Sequence, residues 1–342
     1  MRILKILYLL LGLVLLGMVL AEVDIAEVAS QIKNIGFGIL VLLALYLVAF
    51  IVDTIAWQMA LVKVPLNARW TYRAWKLRMI SEVFNTVIPA AGLGGEPLKI
   101  ELLKKQYDIG YREAAASIIL AKTFNLCALV VFLIIGFVFM SQSAALDAAF
   151  GFVAGIGLLV FSTMIILFFA VQRWRIISLT GTWLSGFHFA RRLGSVLHHI
   201  NDMEERLIDF YTNHGGRFAG ALLLSFINWC LGVAEIYYTM IFLGHQMTLT
   251  DAWIIEAAVQ LVRNGIFFIP GSIGTQEAVF FLVYSSMTGS PSLGVAVAVV
   301  RRFREILWLL GGLLLGVFLP HKSMFAKKPS ESVNITDSPR ER

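Results

Sequence analysis

The chain has 342 residues, of which 58% are hydrophobic and only 15% are charged. This composition is typical of a protein that lies in lipid, and it excludes an ordinary soluble domain and a disordered chain. The formal net charge of +6 does not indicate nucleic-acid binding, because Lys and Arg in a membrane protein first set its topology. We therefore expect an all-α, polytopic membrane protein with no nucleic-acid partner.

Six apolar runs are long enough to cross a hydrocarbon core about 30 Å thick, which takes roughly 20 helical residues. They lie at about 3–20, 36–62, 113–140, 148–171, 218–243 and 293–319. The first run fits either a signal peptide cleaved after Ala21 or a signal anchor, and we expect the anchor because several more helices follow. Two further apolar regions, 75–105 and 252–288, are interrupted near their middles by Gly and Pro.

The distribution of Lys and Arg predicts that both interrupted regions are re-entrant hairpins. If the N-terminus is cytoplasmic and each region returns to the side it came from, 22 of the 28 Lys and Arg residues are cytoplasmic. A single crossing at each region would place the basic segments 97–112 and 172–217 outside, against the positive-inside rule. The first hairpin is therefore predicted to enter from the cytoplasm and the second from outside, with both termini on the cytoplasmic side of the inner membrane.

The two hairpins have similar tips. The first reads NTVIPAAGLGGE at 85–96, and the second reads RNGIFFIPGSIGTQE at 263–277. Pro89 precedes Glu96 by seven residues, and Pro270 precedes Glu277 by seven residues. Irregular backbone at this depth is tolerated only where it is buried in protein or lines a wet cavity. The tips are therefore expected to face the interior of the protein.

Ionisable residues extend the match on both sides of the hairpins. Asp53 lies 36 residues before the first proline, and Glu235 lies 35 residues before the second. Lys122 follows Glu96 by 26 residues, and Arg301 follows the second glutamate by 24. Ionisable groups inside a membrane cost at least ~2.5 kcal/mol each and usually mark a pathway or an ion pair. The pattern predicts an inverted repeat, in which the two halves have opposite orientations.

The repeat yields two sets of candidate residues. Each second half-helix begins beside a Gly-rich tip, where backbone N–H groups and nearby Lys or Arg suit a phosphate or a carboxylate. The candidate substrate-binding residues are Asn85, Gly94, Gly95, Glu96, Lys122, Arg263, Asn264, Gly271, Glu277, Arg301 and Arg302. The candidate coupling residues, which would bind a proton or Na⁺, are Glu96, Glu277, Asp53 and Glu235. The alternative is a purely structural network of salt bridges, to which Arg304 and Glu305 are expected to belong.

Three motifs carry a family resemblance: NxxIPAAGLGGEPLK at 85–99, IPGSIGTQEA at 269–278 and RRFRE at 301–305. Together they resemble the lysylphosphatidylglycerol synthase transmembrane-domain family, also called the flippase-like membrane domain. The resemblance covers about residues 5 to 320, and its QEA and RRFRE segments are most similar to the hopanoid-biosynthesis-associated branch. The family usually has a second Gly after the proline of the second hairpin, whereas Ser272 follows Gly271 here.

The resemblance implies that residues 1–320 form a domain that moves or handles an anionic or isoprenoid lipid across the bacterial inner membrane. The enzymatic half of the two-part aminoacyl-lipid synthases is a separate soluble domain, for which residues 321–342 leave no room. We see no catalytic motif either. We therefore expect a lipid translocase that is not an enzyme, has no cofactor, and has a membrane lipid as its partner.

Two polar segments complete the chain. Residues 172–217 predict a cytoplasmic amphipathic loop, and residues 321–342 predict a disordered cytoplasmic tail. The histidines of the loop lack the spacing of a metal site, so no metal is expected. Two alternatives stay open: an ion-coupled transporter of a small anionic solute, and a membrane subunit that has a separate lipid-modifying enzyme as its partner. The sequence gives no indication of the oligomeric state.

Overall fold

A computed structural model of the chain describes residues 33–87, 94–142, 148–173, 205–265, 275–288 and 291–317. The described part is all-helical and contains no strand, which confirms the predicted all-α membrane fold. Its helices are α1 Gly38–Ala60, α2 Ala68–Val87, α3 Glu96–Tyr107, α4 Tyr111–Gln142, α5 Ala148–Arg173, α6 Gly215–Phe242, α7 Leu249–Gly265, α8 Thr275–Thr288 and α9 Pro291–Val317. Residues 205–213 form a further helical stretch before α6.

Three of the described helices, α1, α4 and α6, are long and apolar enough to cross a membrane. They coincide with three of the predicted runs. Helix α5 contains the shorter apolar stretch Gly155–Leu167, and α9 interrupts its apolar sequence with Arg301, Arg302 and Arg304. The predicted run at 3–20 lies outside the described residues. The total of six spans stays a prediction.

The two predicted hairpins correspond to two pairs of packed helices. Helices α2 and α3 pack together, as do α7 and α8. With 12 and 14 residues, α3 and α8 are about 18 and 21 Å long at a rise of about 1.5 Å per residue, too short to cross a core of about 30 Å. The tips at 88–93 and 266–274 lie outside the described residues, so re-entry into the membrane stays a prediction.

Helix packing is repeated between the two halves of the chain. When α1, α2, α3 and α4 are matched to α6, α7, α8 and α9, the contact of α2 with α9 corresponds to the contact of α7 with α4. The contacts of α3 with α4 and of α1 with α2 likewise have counterparts in the second half. Each hairpin therefore packs both within its own half and against the last helix of the other half, as expected for an internal repeat.

The central helices α1 and α6 run in opposite directions. A Cβ added to Gly38, at the start of α1, would lie 2.5 Å from the ring of Phe242, at the end of α6. At the other end of the pair, a Cβ on Gly220 would lie 3.0 Å from Sδ of Met59. Because α1 and α6 are equivalent in the repeat, this antiparallel contact is the arrangement that an inverted repeat requires.

Glycines allow the hairpins to approach the opposite half closely. A Cβ on Gly136 of α4 would lie 2.5 Å from Cβ of Ala257 in α7, and one on Gly312 of α9 would lie 2.4 Å from the carbonyl oxygen of Met79 in α2. Real Cβ atoms do not come this close to other atoms. Small residues at such crossings let membrane helices associate through backbone contact, so both hairpins are held at glycine contacts.

The predicted loop at 172–217 is described only from residue 205 onwards, apart from its first two residues. In the helical stretch 205–213, Leu207 and Phe210 are buried against Ala60, Leu120 and Phe124. The apolar side of this stretch therefore packs on α1 and α4. The apolar positions that make the predicted loop amphipathic are Leu193, Val196, Leu197, Ile200, Met203, Leu207 and Ile208. The first five of those residues, and the tail at 321–342, lie outside the described residues.

Candidate functional site

The first charged cluster lies where α3 begins and consists of Glu96, Lys99 and Lys122. Lys99 Nζ lies 2.7 Å from Oε2 of Glu96, and Lys122 Nζ lies 3.9 Å from Oε1. Glu96 and Lys99 are each only 6% exposed, whereas the side chain of Lys122, on α4, is 39% exposed. Two ammonium groups therefore converge on one carboxylate where α3, the second helix of the first hairpin, begins.

The backbone at the start of α3 is held by contacts with the preceding helix, α2. Oδ1 of Asn85 accepts a hydrogen bond of 2.7 Å from the N–H of Gly95, the residue that caps α3. A Cβ on Gly95 would lie 2.0 Å from the carbonyl oxygen of Ser81, so only glycine fits there. Pro97 sits in the first turn, where its missing N–H has no cost. These contacts direct the first turn of α3, with its free N–H groups, toward α2.

An ion pair between Asp53 of α1 and Arg78 of α2 lies next to the first cluster. Arg78 also donates a hydrogen bond of 3.2 Å to the backbone carbonyl oxygen of Phe50. Its guanidinium lies 4.2 Å from the centre of the Phe50 ring. Lys99 is close enough to interact electrostatically with Arg78 as well as with Lys122. Asp53, predicted as a coupling residue, is thus engaged with an arginine.

The second charged cluster consists of Glu235 on α6, Glu256 on α7, and Arg301 and Arg304 on α9, all no more than 8% exposed. Arg301 Nη2 donates a hydrogen bond of 2.7 Å to Oε2 of Glu256 and lies 3.9 Å from Oε2 of Glu235. Arg304 pairs with Glu235. The other oxygen of Glu256 accepts a 2.7 Å bond from Gln260. This cluster holds two carboxylates and two guanidinium groups, so its charges cancel.

A polar ladder continues from the second cluster toward the second tip. Asn264 Nδ2 donates to the carbonyl oxygen of Gln260 at 2.8 Å, and Gln260 in turn donates to Glu256. The three residues are four apart and so share one face of α7. Arg263, one residue before Asn264, is half-buried, and it forms no ion pair with a side chain that the structure describes.

Aromatic rings join the second cluster to α1. The Arg304 guanidinium lies 3.8 Å from the centre of the Tyr46 ring, and Tyr46 makes an edge contact with Trp308 at 4.7 Å between centroids. Arg302, on the next face of α9, donates a hydrogen bond of 2.9 Å to Glu305 three residues later. Arg304 and Glu305 thus each form an ion pair, with Glu235 and Arg302 respectively, and a purely structural role for them stays a prediction.

The structure brings many of the predicted residues together but divides them between two clusters. Asn85, Gly95, Glu96 and Lys122 lie at the first, with Gly94 adjacent in the chain. Glu235, Asn264 and Arg301 lie at the second or on its ladder. Gly271 and the side chain of Glu277 lie outside the described part, so the predicted roles of both stay predictions.

Four participants were missed by the sequence reasoning: Arg78, Lys99, Glu256 and Gln260. Both basic residues are among the 22 that the charge distribution assigns to the cytoplasmic segments, and the structure shows Lys99 buried beside Glu96. The spacing of Lys99, three residues after Glu96, was an available signal, because residues three apart on a helix are neighbours. Glu256 and Gln260 were likewise recognisable as one polar face of an otherwise apolar helix.

The chemistry available to these clusters is ion binding and ion-pair exchange. Among the described residues there is no group of three His, Cys, Asp or Glu side chains able to hold a metal ion. The ammonium and guanidinium groups can bind an anion, and the buried carboxylates among them can exchange partners or take up a proton. In the first cluster two ammonium groups lie beside one carboxylate, whereas in the second cluster Arg301 pairs with Glu256 and Arg304 with Glu235.

Comparison with known proteins agrees with this architecture. The family described as the lysylphosphatidylglycerol synthase TM region matches residues 4–312. A UPF0104 membrane protein of Methanothermobacter thermautotrophicus is 21% identical over 327 residues, covering 87% of this chain and 93% of the relative. A second UPF0104 membrane protein, from Pyrococcus horikoshii, is 23% identical over 295 residues, covering 81% and 85%. No solved structure matches the chain. The chain therefore belongs to the lysylphosphatidylglycerol synthase transmembrane-region family of membrane proteins.

Proposed function

We propose that this protein is a lipid translocase of the bacterial inner membrane, which moves an anionic or isoprenoid lipid between leaflets. The observation that carries the proposal is the first cluster, where two ammonium groups and one carboxylate lie against a glycine-capped helix start inside an apolar helix bundle. Ionisable groups in such surroundings are costly, and they usually mark a ligand pathway or an ion pair. The family membership supports a role in the handling of lipids.

In the proposed mechanism, the two hairpins re-enter the membrane from opposite sides and both termini are cytoplasmic. The lipid headgroup would bind at the first cluster while the acyl chains stay in the bilayer. Glu96, which already faces Lys99 and Lys122, would take up a proton or Na⁺ as the amines turn to the headgroup. The close glycine contacts between each hairpin and the opposite half would couple movement of the two hairpins.

The proposal is tested by measuring how fast a fluorescent lipid moves between the two leaflets of a vesicle. We call this movement lipid exchange. We would reconstitute the protein in phosphatidylcholine vesicles that contain fluorescent phosphatidylglycerol and follow quenching by an impermeant reductant. Wild type is expected to accelerate exchange at least about tenfold over protein-free vesicles, and Glu96→Gln is expected to lose most of that acceleration. Lys63→Gln is the matched control, because Lys63 is 71% exposed in its pair with Glu113, and such pairs contribute little.

Two results would contradict the proposal. Exchange no faster than in empty vesicles would exclude translocation of this lipid. Uptake of glycerol phosphate by the same vesicles, in the absence of lipid exchange, would identify a transporter of small anionic solutes. Full exchange by Glu96→Gln would refute the coupling role of Glu96 while leaving translocation intact.

A further inference from the structure

We infer that the seam between α1 and α9 is a lipid subsite, in which the indole N–H of Trp308 and the Nε–H of Arg304 donate hydrogen bonds to ester carbonyl oxygens of a glycerolipid. This inference rests on the proposed function for the lipid as the ligand. It goes further by assigning a site to the ester linkages of the lipid and by narrowing the substrate class to ester-linked glycerolipids, in place of isoprenoid lipids.

The seam is the place where α1 and α9 meet at the side of the helix bundle. Its counterpart in the repeat, between α6 and α4, is closely packed, whereas α1 and α9 meet mainly through side chains. The guanidinium of Arg304 and the ring of Trp308 both contact the Tyr46 ring, at 3.8 Å and 4.7 Å from its centre. Tyr46 and Trp308 are half-buried, and Leu47 and Leu310, close to them in the chain, are exposed. The seam therefore borders the surface that meets acyl chains.

Two buried donors in this seam have no acceptor. Trp308 Nε1 and Arg304 Nε are both shielded from solvent, and neither has a hydrogen-bond partner among the residues that the structure describes. The two side chains are four residues apart and so share one face of α9, and Arg304 is only 5% exposed. Buried N–H groups without an acceptor are rare and costly in proteins. The pair therefore indicates a ligand that supplies acceptor oxygens.

Other tryptophans show how the fold satisfies an indole N–H. Trp229 donates to the carbonyl oxygen of Asn125 at 3.2 Å, and Trp253 donates to that of Phe132 at 3.1 Å. Both acceptors lie on α4. Because α6 and α4 are equivalent to α1 and α9, the bond of Trp229 lies in the counterpart seam. That seam is joined by an acceptor of the protein, whereas the described residues around Trp308 supply none.

The two donors favour a neutral acceptor. An indole N–H carries no charge, and Arg304 already pairs with Glu235. A neutral oxygen can therefore satisfy both donors without leaving a further charge buried. The ester carbonyls of a glycerolipid are such oxygens, and they lie between the headgroup and the acyl chains. A diacyl lipid carries two of them, as many as there are donors, whereas a polyprenyl phosphate has none.

A pair of lipids that differ only in their carbonyl groups tests the inference. Native mass spectrometry of the full-length protein in detergent would be recorded with equimolar dioleoyl phosphatidylglycerol and its diether analogue, in which CH₂ replaces each ester carbonyl. The headgroup, its charge and the chain length are the same in both. Wild type is expected to retain the diester at least about fivefold over the diether, which corresponds to one hydrogen bond of typical net strength. Equal retention by wild type would overturn the inference.

Two tryptophan variants identify the donor. Trp308→Phe removes the N–H but keeps an aromatic ring, so the ratio of diester to diether should fall toward one. Trp229→Phe, the matched control, removes an N–H that donates within the protein and should keep the wild-type ratio. A loss of stability would lower both lipid signals together and leave their ratio unchanged. An unchanged ratio in Trp308→Phe, or a fall in Trp229→Phe, would overturn the assignment.

A third variant tests the other donor and replaces Trp308→Phe if that variant fails to fold. Arg304→Lys keeps a cation for the pair with Glu235 but removes the Nε–H. The ratio of diester to diether should fall here too, and a wild-type ratio would exclude Arg304 from the subsite.

Failure of the inference is distinguishable from failure of the proposed function. If phosphatidylglycerol exchanges between leaflets but wild type retains the diester and the diether equally, translocation stands and the subsite is wrong. If the ratio depends on Trp308 but no lipid exchanges, the lipid site stands without the translocase. A polyprenyl phosphate added to the same mixture should be retained less than the diester. Its preferential retention would identify an isoprenoid ligand and overturn the inference.

Discussion

Replacing Arg301 by Gln should destabilise the protein far more than removing an exposed lysine, because Glu256 would keep its charge in a buried position. Glu256 is 2% exposed and its Oε2 lies 2.7 Å from Arg301 Nη2. Removal of one partner of a buried ion pair typically costs about 3–5 kcal/mol. The second acid near Arg301, Glu235, keeps its own partner in Arg304. The expected loss of stability is therefore that of the Arg301–Glu256 pair alone.

The cost translates into a shift of the melting temperature. An unfolding entropy of about 2.1 cal/mol/K per residue gives about 0.7 kcal/mol/K for 342 residues, so each kcal/mol lowers Tm by about 1.4 °C. Arg301→Gln should thus melt about 4–7 °C below wild type. We would measure thermal unfolding in one detergent by tryptophan fluorescence, with one scan rate for all variants because such transitions depend on it.

A double variant isolates the buried charge from the lost packing. Glu256→Gln/Arg301→Gln should recover at least half of the loss, because two amides replace the ion pair and no charge is left buried. Lys63→Gln, on the surface, should shift Tm by less than about 1.5 °C, since exposed pairs contribute about 0–1 kcal/mol. A shift for Arg301→Gln no larger than for Lys63→Gln, or a double variant as unstable as the single one, would refute the reasoning.

Two further predictions concern the first tip. Gly95→Ala should lower Tm and abolish lipid exchange, because its Cβ would lie 2.0 Å from the Ser81 carbonyl oxygen, whereas Gly110→Ala, with nothing within 4 Å, should match wild type in both assays. Asn85→Ala should slow lipid exchange, because it removes the acceptor of the 2.7 Å hydrogen bond from the Gly95 N–H. Asn85→Asp keeps an acceptor oxygen and should restore part of the rate. Equal rates for the two variants would argue against a role for this hydrogen bond.

The fold was largely predictable because its physical causes are local in the sequence. Apolar runs identified α1, α4 and α6, and the Gly and Pro tips placed the breaks between α2 and α3 and between α7 and α8. The spacing of Asp53 and Glu235 from the two tips predicted the repeat, and the packing pattern is the one that a repeat requires. The depth of each helix in the membrane is not determined by local sequence alone, because it depends on the bilayer as well as on helix packing.

The site was only partly predictable, because partner choice depends on how helices rotate against each other. Equal spacing suggested that Glu96 and Lys122 were the counterparts of Glu277 and Arg301. The structure pairs Arg301 with Glu256, from a helix turn that the repeat comparison did not consider, and the side chain of Glu277 lies outside the described part. The pairing of Lys99 was missed for a similar reason, since a positive charge near a predicted membrane surface is counted in the same way whether it points to water or into the protein.

The exchange of packing partners between the two halves has a consequence for biogenesis. Helix α2 rests on α9 through the contact of Met79 with Gly312, yet α9 is synthesised long after α2. The first hairpin is therefore synthesised about two hundred residues before the helix on which it packs. During that interval its unpaired face is exposed to lipid or to an insertion chaperone. Early release of the nascent chain would leave an inserted hairpin without the surface that completes it.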